Sequence, residues 1–325
     1  MDKEKLLKII EQFKNKKILV IGDIMLDKYI VGDVSRISPE APVQVVKVTA
    51  EGFAPGGAAN VANNLSALGG KSFMVGIVGQ DNAKDILFRE FTKRNITVDG
   101  VFSDKTKPTI QKVRILAMGQ QLLRVDYEKV DSADESIKKD ILDFINKKIN
   151  EVDAIIVSDY AKGVITKSVM ENLIGLAKSK NKIIVVDPKP KHIDFYKGVT
   201  LITPNHREAS RITNIEEQSD EAVLRMGNNL LKRLDTEILI TRGEKGIALF
   251  EKNGNVTNIP TKAKEVYDVT GAGDTAVAAL TLALASGATT KEAAVIANHA
   301  AGITVGKVGT SAVPIDEIKE SLENE

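Results

Sequence analysis

Short apolar runs alternate with longer stretches of helical periodicity along the first 241 residues of the chain. The apolar runs are rich in β-branched residues and cover 17–22, 72–78, 153–157, 182–187, 200–203 and 237–241. The stretches of helical period cover 60–68, 83–94, 135–149, 167–179 and 221–234, after an amphipathic first helix at the N-terminus. Apolar strands separated by helices are typical of a parallel sheet that helices cover on both faces. The pattern therefore predicts an α/β fold with a mostly parallel central sheet.

The last hundred residues depart from this alternation. Two short apolar runs, 247–250 and 256–259, predict a hairpin, because the intervening Asn253-Gly254 pair favours a tight turn. Two Ala-rich helices follow at 274–286 and 291–305, and their small side chains indicate close packing in the interior.

Two earlier segments, 27–48 and 109–128, have strand-like patterns with no helix inside them. We interpret them as an insertion of short antiparallel strands beside the main sheet. Such a small sheet could serve as a lid or as a dimer surface, because a free sheet edge pairs readily. Internal repeats and long linkers are absent from the sequence, so we expect a single domain over 1–325.

Composition narrows the function classes. The chain has 45 Lys and Arg against 44 Asp and Glu, and a net charge of +1 argues against a general nucleic-acid binder. It has no cysteine, which excludes disulfides, thiolate nucleophiles and Cys-ligated zinc and agrees with a cytoplasmic location. No apolar run approaches the roughly 18 residues of a membrane-spanning helix, so we expect no membrane segment.

A glycine-rich run at 268–274 (DVTGAGD) opens the first Ala-rich helix. A ligand can approach the backbone of Gly271 and Gly273 closely because they have no side chains. The amides of Gly271, Ala272 and Gly273 would then face an anion at a helix N-terminus. A carboxylate there, Asp274, suits the acceptance of a proton from an attacking hydroxyl. The alternative is that Asp274 only caps the helix.

A dinucleotide site is a second alternative for this run, because 271–276 also fits G-x-G-x-x-(G/A). That kind of loop leads to a second strand with an acidic residue about 20 positions on. Here another Ala-rich helix follows instead, so phosphoryl chemistry is the better interpretation.

Two more polar clusters lie near the N-terminus. Gly56 and Gly57 precede the helix that begins near Asn60, whose amide can donate to and accept from the hydroxyls of a polyol. Asp23 follows the first strand, with Asp27 four residues on, at the end of a strand where parallel sheets place their ligands. A plain loop-to-helix turn and ordinary turn chemistry are the simpler explanations.

Two clusters follow later strands. Asn205 and Glu208 are three residues apart and share one helix face, where an amide and a carboxylate could orient hydrated Mg²⁺. The simpler interpretation is a helix cap at Asn205 with Glu208 as the second residue of the capping box. The later cluster is at the end of the strand 237–241 and consists of Thr241, Arg242 and Gly243. These residues suit the binding of nucleotide phosphates, but a solvent-exposed turn explains them equally well.

Together, the block around Gly56-Gly57 and the run at 268–274 resemble the two signature regions of the ribokinase-like, or PfkB, carbohydrate kinase family. Their order and separation fit the family, and the likeness covers nearly the whole chain. The resemblance implies ATP-dependent phosphorylation of a sugar hydroxyl with Mg²⁺. It also implies a mostly parallel sheet, flanking helices and a small β lid.

The resemblance further implies roles for individual residues. Asp274 matches the catalytic base, the backbone of Gly271, Ala272 and Gly273 matches the anion hole, and the pair Asn205 and Glu208 matches an element that organises Mg²⁺ and phosphates. The positions implied to bind the sugar are Asp23, Asp27, Gly56, Gly57 and Asn60. The positions implied on the nucleotide side are Thr241, Arg242, Gly243 and Asn298.

A narrower likeness lies in 22–27 (GDIMLD), 35–42 (SRISPEAP), 120–124 (QQLLR) and 158–163 (SDYAKG). These segments are similar to the heptose 7-phosphate kinases of ADP-heptose synthesis. That subgroup phosphorylates O1 of D-glycero-β-D-manno-heptose 7-phosphate to give the 1,7-bisphosphate. Many members carry a fused nucleotidyltransferase domain, and because this chain ends at Glu325 it resembles the stand-alone kinase form.

A sugar phosphate substrate needs cations for its distant phosphate. Arg114 and Arg124 lie on the expected lid strands, and arginine suits bidentate phosphate contact. Lys189 and Arg36 are further candidates, and each of the four is otherwise a solvated surface charge. The family resemblance also implies a homodimer formed through the lid.

Two rival functions stay open at this point. One is another kinase of the same family that acts on a different sugar, sugar phosphate or nucleoside. The other is a non-catalytic sugar- or nucleotide-binding regulator on the same fold. The presence of Asp274 and its glycines favours an enzyme, since a binding protein gains nothing from a base there.

Overall fold

The structure, a computed structural model, describes residues 2–263, 266–307 and 312–324. The helices in those ranges are α1 (Lys3–Glu11), α2 (Ala58–Ala67), α3 (Asn82–Lys93), α4 (Glu135–Lys148), α5 (Lys167–Ser179), α6 (His206–Thr213), α7 (Asp220–Leu234), α8 (Ala272–Ala285), α9 (Thr290–Thr304) and α10 (Ile315–Glu323). The strands are β1 (Lys17–Gly22), β2 (Ile24–Ile37), β3 (Gln44–Gly57), β4 (Lys71–Val78), β5 (Thr97–Ser103), β6 (Ile110–Ala117), β7 (Gln120–Tyr127), β8 (Ala154–Ser158), β9 (Ile183–Asp187), β10 (Leu201–Ile202), β11 (Glu237–Thr241), β12 (Ile247–Phe250) and β13 (Val256–Ile259).

The larger of two sheets has the strand order β13-β12-β11-β10-β9-β8-β1-β4-β5. Neighbouring strands from β11 to β5 pair in parallel, and β12 and β13 add an antiparallel hairpin at one edge. The predicted mostly parallel sheet and the terminal hairpin are confirmed.

Both faces of this sheet are buried. Along β1, Ile18 and Val20 belong to a core that includes side chains of α2, α8 and α9. Leu19 and Ile21 belong to a second core on the other face, with side chains of α4, α5 and α7. Successive side chains of a strand point to opposite faces, so a strand covered on both sides reads as an unbroken apolar run.

The second sheet, which we call the lid, has the strand order β3-β2-β6-β7. The segments 27–48 and 109–128 lie in it, but the expectation of short antiparallel strands is wrong in two respects. Strands β2 and β3 each span 14 residues, and the central β2–β6 pair is parallel. One residue separates β1 from β2, and the first four residues of β2, which include Asp27, are buried. The other charged residues of β2 lie in its outer, more exposed part.

The carboxyl ends of β1, β8, β9, β10 and β11 lie at one edge of the main sheet, and the N-terminus of α8 is directed to the same edge. In parallel α/β sheets, ligands bind outside this edge. Within the described ranges, no helix has the length and apolar character to cross a membrane.

Candidate active site

A cavity of about 200 Å³ opens at this edge of the main sheet. Its walls come from the ends of four strands and the chain after them, from α8 as far as Leu280 and from single residues of α6 and α9. The polar residues that line it, together with two glycines, are Tyr160, Asp187, Lys189, Thr203, Asn205, Glu208, Thr241, Gly271, Gly273 and Asp274. Five of the side chains predicted for the site therefore line one cavity, those of Lys189, Asn205, Glu208, Thr241 and Asp274.

The glycine-rich run forms the N-terminus of α8. Gly271 is the N-cap with φ +82° and offers no side-chain hydrogen bond to the helix. The first amides of a helix have no intrahelical partner, so this end of the cavity favours negative charge. The Ala272 amide does not face the cavity as expected, because its N–H donates to the carbonyl oxygen of Val269 at 3.3 Å. Gly271 and Gly273 line the cavity, whereas Ala272 does not.

Asp274 occupies the first turn of α8 and is 8% exposed. Its Oδ2 accepts a hydrogen bond from Asn60 Nδ2 at 2.7 Å, and its Oδ1 accepts one from the Tyr160 hydroxyl at 3.1 Å. Burial raises the pKa of this carboxyl to about 6, while the two hydrogen bonds oppose the rise and the nearby Asp27 adds to it. A carboxyl with this pKa is a suitable general base near neutral pH.

Asn60 lies on α2 and is 2% exposed. Its amide nitrogen is engaged by Asp274, but its Oδ1 is buried and has no hydrogen-bond partner among the described residues. A buried, unpaired acceptor is costly unless a ligand satisfies it. This oxygen is therefore available to a substrate hydroxyl.

Asp27 lies on β2, at the inner end of the lid, and is 5% exposed. Its Oδ1 accepts a hydrogen bond from Arg114 Nη1 at 2.6 Å, and the Arg114 guanidinium lies 5.4 Å from the centre of the Tyr29 ring. A Cβ atom at Gly56 would come within 2.6 Å of Asp27 Oδ2. A side chain at position 56 would therefore have to displace this carboxylate.

Asp23 has a different environment from the one expected of a sugar ligand. It is fully buried, and its Oδ2 accepts N–H bonds from Tyr160 at 2.9 Å and Lys162 at 3.1 Å. Its Oδ1 accepts a third bond from the Val164 N–H at 3.2 Å. Burial raises the pKa of this carboxyl against the effect of these bonds. Asp23 thus holds the chain after β8. The residues expected to bind the sugar that do not line the cavity are Asp23, Asp27, Gly56, Gly57 and Asn60.

Asn205 and Glu208 form the capping box of α6: Asn205 Oδ1 accepts from the Glu208 N–H at 2.9 Å, and Glu208 Oε2 accepts from the Asn205 N–H at 3.1 Å. The capping interpretation is confirmed, and both residues also line the cavity. Lys189 Nζ donates to the other oxygen of Glu208 at 2.8 Å. Desolvation raises the pKa of Asp187 well above its usual range, with repulsion from Glu208 and Asp274 adding to the shift.

The oxygen atoms of these residues fit Mg²⁺ only if the ion takes its other ligands from water and from a bound substrate. Within the described ranges, no group of three or more His, Cys, Asp or Glu side chains converges to hold a metal. Asp187 and Glu208 nevertheless place two carboxylates in the cavity, and Mg²⁺ commonly keeps several waters and takes its other ligands from substrate phosphates. The site therefore fits a magnesium ion that arrives with phosphates.

Of the expected nucleotide residues, only Thr241 joins Asn205 and Glu208 at the cavity. The side chain of Arg242 is 6% exposed and pairs with Asp220, and Gly243 is exposed with φ +59°. Asn298 is buried on α9 and donates to the Pro260 carbonyl oxygen at 2.7 Å. None of these three is among the residues that line the cavity.

The remaining expected cations lie on the lid. Arg124 is directly opposite Arg114 in the β6–β7 pair and makes an ion pair with Asp126 at 2.9 Å. Its side chain is half exposed. Arg36 is exposed near the outer end of β2. Arg114 thus pairs with Asp27, whose charge raises the pKa of Asp274, whereas Arg124 and Arg36 make no such contact with Asp27 in the described part of the chain.

Tyr160 and Asp187 were not predicted as site residues. Tyr160 comes two residues after the end of β8, and Asp187 is the last residue of β9. The rule that directed attention to Asp23, a polar residue at the carboxyl end of a strand, applies equally to both. That rule alone could have found them.

Comparison with known proteins supports the expectation drawn from the motifs. A model of the pfkB family of carbohydrate kinases matches residues 15–317. The "Bifunctional protein HldE" of Geobacter sulfurreducens is 46% identical over 305 residues, which cover 94% of this chain and 62% of that protein. The protein of the same name from Helicobacter hepaticus is 43% identical over 310 residues, 95% of this chain and 64% of its own length. The chain thus spans less than two thirds of these relatives.

Solved structures share the fold. Arabidopsis thaliana ribokinase, complexed with ribose and ATP, matches with a TM-score of 0.74 at 20% identity and covers 95% of this chain and 99% of that one. Phosphofructokinase-2 from Escherichia coli, in complex with substrates and products, matches with a TM-score of 0.77 at 19% identity and covers 95% and 98%. The expected ribokinase-like fold is confirmed. The match of the family model over residues 15–317 shows that this chain belongs to the pfkB family of carbohydrate kinases.

Proposed function

We propose that this chain is an ATP-dependent kinase that transfers a phosphoryl group to a sugar hydroxyl, with Asp274 as the general base. One observation carries the proposal: a buried carboxylate with a pKa of about 6 lies in the first turn of a helix whose glycine N-cap faces a cavity. A base works best when its pKa is near the operating pH.

In the proposed reaction, Asp274 accepts the proton of the attacking hydroxyl. The backbone at Gly271 and Gly273, at the positive end of α8, stabilises charge on the transferring oxygens. Phosphoryl transfer needs mainly positioning and charge stabilisation, and both are available here. Bound Mg²⁺ would supply charge neutralisation at the ATP phosphates, and Asn205 and Glu208 would orient its water shell.

Lys189 was expected to meet the phosphate of the sugar. Its ammonium lies beside Glu208, in the wall that also contains Thr241. We therefore assign it to the phosphates of ATP. Arg242, Gly243 and Asn298 would act on the nucleotide only indirectly, by shaping the turn after β11 and the contact between α9 and Pro260.

On the sugar side we propose Asp27, Gly56, Gly57 and Asn60, and not Asp23, whose oxygens both accept backbone N–H bonds. The unpaired Asn60 Oδ1 accepts a sugar hydroxyl. Arg114, and Arg124 opposite it, are the lid cations available to a phosphate on the far end of the sugar.

The proposed substrate is D-glycero-β-D-manno-heptose 7-phosphate, phosphorylated at O1 to the 1,7-bisphosphate. The four segments that resemble heptose 7-phosphate kinases support it, as does the 46% identity with a relative named HldE. Because ATP is the phosphoryl donor, we propose a cytoplasmic location.

We also propose a homodimer formed through the lid. Strands β3 and β7 are the edges of the lid sheet, and such edges are free to pair. The lid also exposes large apolar side chains, including Ile37, Val48 and Leu123. Apolar surface of this kind commonly marks a contact with another chain.

The base assignment is tested with Asp274→Asn, for which we expect an unchanged fold and a loss of roughly 10²-fold or more in kcat. Sugar-dependent ADP release measures the rate. Asp99→Asn, on an exposed carboxylate of β5, is the matched control and should keep wild-type turnover. Near-wild-type turnover of Asp274→Asn would refute the base.

The substrate is tested by a panel of sugars, sugar phosphates and nucleosides with ATP and Mg²⁺. Heptose 7-phosphate should give the highest kcat/KM. A preference for ribose, fructose 6-phosphate or adenosine would overturn the heptose assignment and leave the kinase in place. Binding of sugar without any ADP release would indicate the non-catalytic regulator.

A further inference from the structure

The six residues 159–164, which we call the Tyr160 loop, lie between the end of β8 and the cavity. Two buried aspartates hold the loop. Asp23 accepts three of its backbone N–H groups, those of residues 160, 162 and 164. Asp159 Oδ1 accepts a fourth, from Ala161, at 2.6 Å. Four charge-assisted bonds to the backbone of so short a segment fix its path closely.

The second oxygen of Asp159 ties the loop to the protein interior. Asp159 is fully buried, and its Oδ2 lies 2.7 Å from His192 Nδ1 and accepts a hydrogen bond from the Tyr196 hydroxyl. Burial beside Asp159 raises the pKa of Tyr196 well above its usual range, so this hydroxyl stays a donor. The loop is therefore anchored at both ends without any use of the Tyr160 side chain.

The backbone of the loop adopts conformations that most residues avoid. Ala161 has φ +56° and Gly163 has φ +112°, and a Cβ atom at Gly163 would lie 2.1 Å from the Asp131 carbonyl oxygen. A non-glycine residue at positive φ persists only where its surroundings determine it, and such positions cluster at functional sites. The backbone of the loop is thus held in an energetically unfavourable conformation, which places one side chain at the cavity.

That side chain is Tyr160, whose hydroxyl donates to Asp274 Oδ1 at 3.1 Å. Asn60 donates to the other oxygen of the carboxylate at 2.7 Å. An ionised carboxylate has about four lone-pair sites, so two donors on its two oxygens fix its plane and leave sites free. The base therefore has a fixed orientation before any substrate binds.

We propose that Tyr160 is a positioning residue for the base of phosphoryl transfer: its hydroxyl orients Asp274 and keeps the carboxylate ionised beside the sugar hydroxyl. The inference rests on the proposed kinase function and adds a residue to it. The donor suits the task, because burial and the adjacent Asp274 raise the pKa of Tyr160 well above its usual range. Tyr160 thus stays protonated wherever the base is ionised.

The other charged groups near Asp274 shift its pKa in opposite directions. Asp27 of β2 raises the pKa of Asp274, and Lys189, after β9, lowers it. Repulsion between Asp274 and Asp187, at the end of β9, raises the pKa of Asp187. The hydrogen bonds from Asn60 and Tyr160 lower the pKa of Asp274 against the larger effect of burial. Loss of the Tyr160 hydroxyl should therefore move the ionisation of the base to higher pH.

The test is the pH profile of kcat/KM with heptose 7-phosphate and ATP. In Tyr160→Phe, we expect the acid limb to move to higher pH by about one unit, the scale of a hydrogen bond to a charged group. At pH 7, the smaller ionised fraction of Asp274 alone should lower kcat about twofold, and both KM values should stay within about twofold. An acid limb that coincides with the wild-type limb would overturn the inference alone. A wild-type chain without sugar-dependent ADP release would overturn the kinase proposal as well.

Thr236→Val is the control, because it removes a buried hydroxyl that donates to the Val199 carbonyl oxygen and contacts neither the cavity nor the Tyr160 loop. It should lower the melting temperature without moving the acid limb. If Tyr160→Phe fails to fold, 3-fluorotyrosine at position 160 keeps the shape and makes a stronger donor. The acid limb should then move to lower pH, and an unmoved limb would again overturn the inference.

Discussion

The carboxylate of Asp274 turns away from the helix that carries it. Gly271 is the N-cap of α8 and makes no side-chain hydrogen bond, while both oxygens of Asp274 accept bonds from Asn60 and Tyr160. A capping carboxylate would instead accept the amides of its own helix. The capping alternative raised by the sequence is therefore wrong, and the side chain is left to the cavity.

This environment predicts a pH dependence of the rate. Asp274 acts as a base only when ionised, and burial raises its pKa from 3.8 to about 6. Activity is therefore present above about pH 6 and is lost as the pH falls through that value. A pH profile of kcat/KM should drop about tenfold per unit below it. A rate that stays constant down to pH 4.5 would contradict the assignment of the base.

The second prediction at the residue scale concerns the effect of a side chain at Gly56 on substrate binding. A methyl group there would lie 2.6 Å from Asp27 Oδ2 and must displace that carboxylate. We expect Gly56→Ala to raise KM for the sugar substrate at least about tenfold and to leave KM for ATP nearly unchanged. Initial-rate kinetics with each substrate varied in turn will measure both.

The matched control is Gly52→Ala on the same strand, β3. A Cβ atom there would meet only Tyr29 Cβ, at 3.9 Å. It should leave both KM values near those of the wild type. Equal effects of the two substitutions would show that β3 tolerates no added methyl group anywhere, and the argument for Asp27 would lose its support.

Among the connecting elements, the Tyr160 loop depends on Asp23. Asp23→Ala would leave three N–H groups without this acceptor, one of them buried and two partly buried, and each buried loss costs about 1–3 kcal/mol. We expect the free energy of unfolding to fall by about 3 kcal/mol or more, measured by urea denaturation. The rate should fall too, because Tyr160 loses its position.

Asp27→Ala provides the comparison. It removes the proposed sugar ligand and should raise the sugar KM far more than Asp23→Ala does. If Asp23→Ala instead raised the sugar KM as strongly, with the fold intact, Asp23 would contact the substrate as the sequence first indicated.

The elements of the main sheet could be predicted because each buried strand is apolar on both faces. The predicted strand at 237–241 coincides with β11, and the helix at 167–179 coincides with α5. Strand β5 was missed because it is an edge strand whose Asp99 and Gly100 interrupt the apolar pattern. The final helix, α10, was also missed.

The candidate site could be predicted only where its residues are close together in the sequence. The run at 268–274 combines a helix start, glycines and a carboxylate within seven residues, and the structure places it at the cavity. Whether Asp23 or Asp27 faces the substrate depends on which backbone amides come near, and those belong to a loop more than 130 residues away. Residue type and spacing carry no information about such a contact.

At the scale of the whole molecule, the exposed apolar side chains of the lid lead us to predict a dimer that forms through the lid. Leu123 on β7 is 55% exposed, and a charge there should weaken an apolar contact between two lids. We expect the wild-type chain to elute with the mass of a dimer and Leu123→Lys to shift toward the monomer, measured by size-exclusion chromatography with light scattering.

Leu224→Lys is the control, since Leu224 is 40% exposed on α7, outside the lid. It should remain dimeric. A wild-type monomer, or a dimer that Leu123→Lys leaves intact while Leu224→Lys dissociates it, would rule out the lid as the interface.

The junction between lid and body limits how chimeras of this enzyme can be built. Gly57 is at once the last residue of β3 and the N-cap of α2, so no linker separates the two elements. One residue inserted at that point would turn the helix by about 100° and carry Asn60 away from Asp274. Lids exchanged between relatives should therefore be spliced ahead of Gly56, with the reading frame through Gly57 and α2 kept intact.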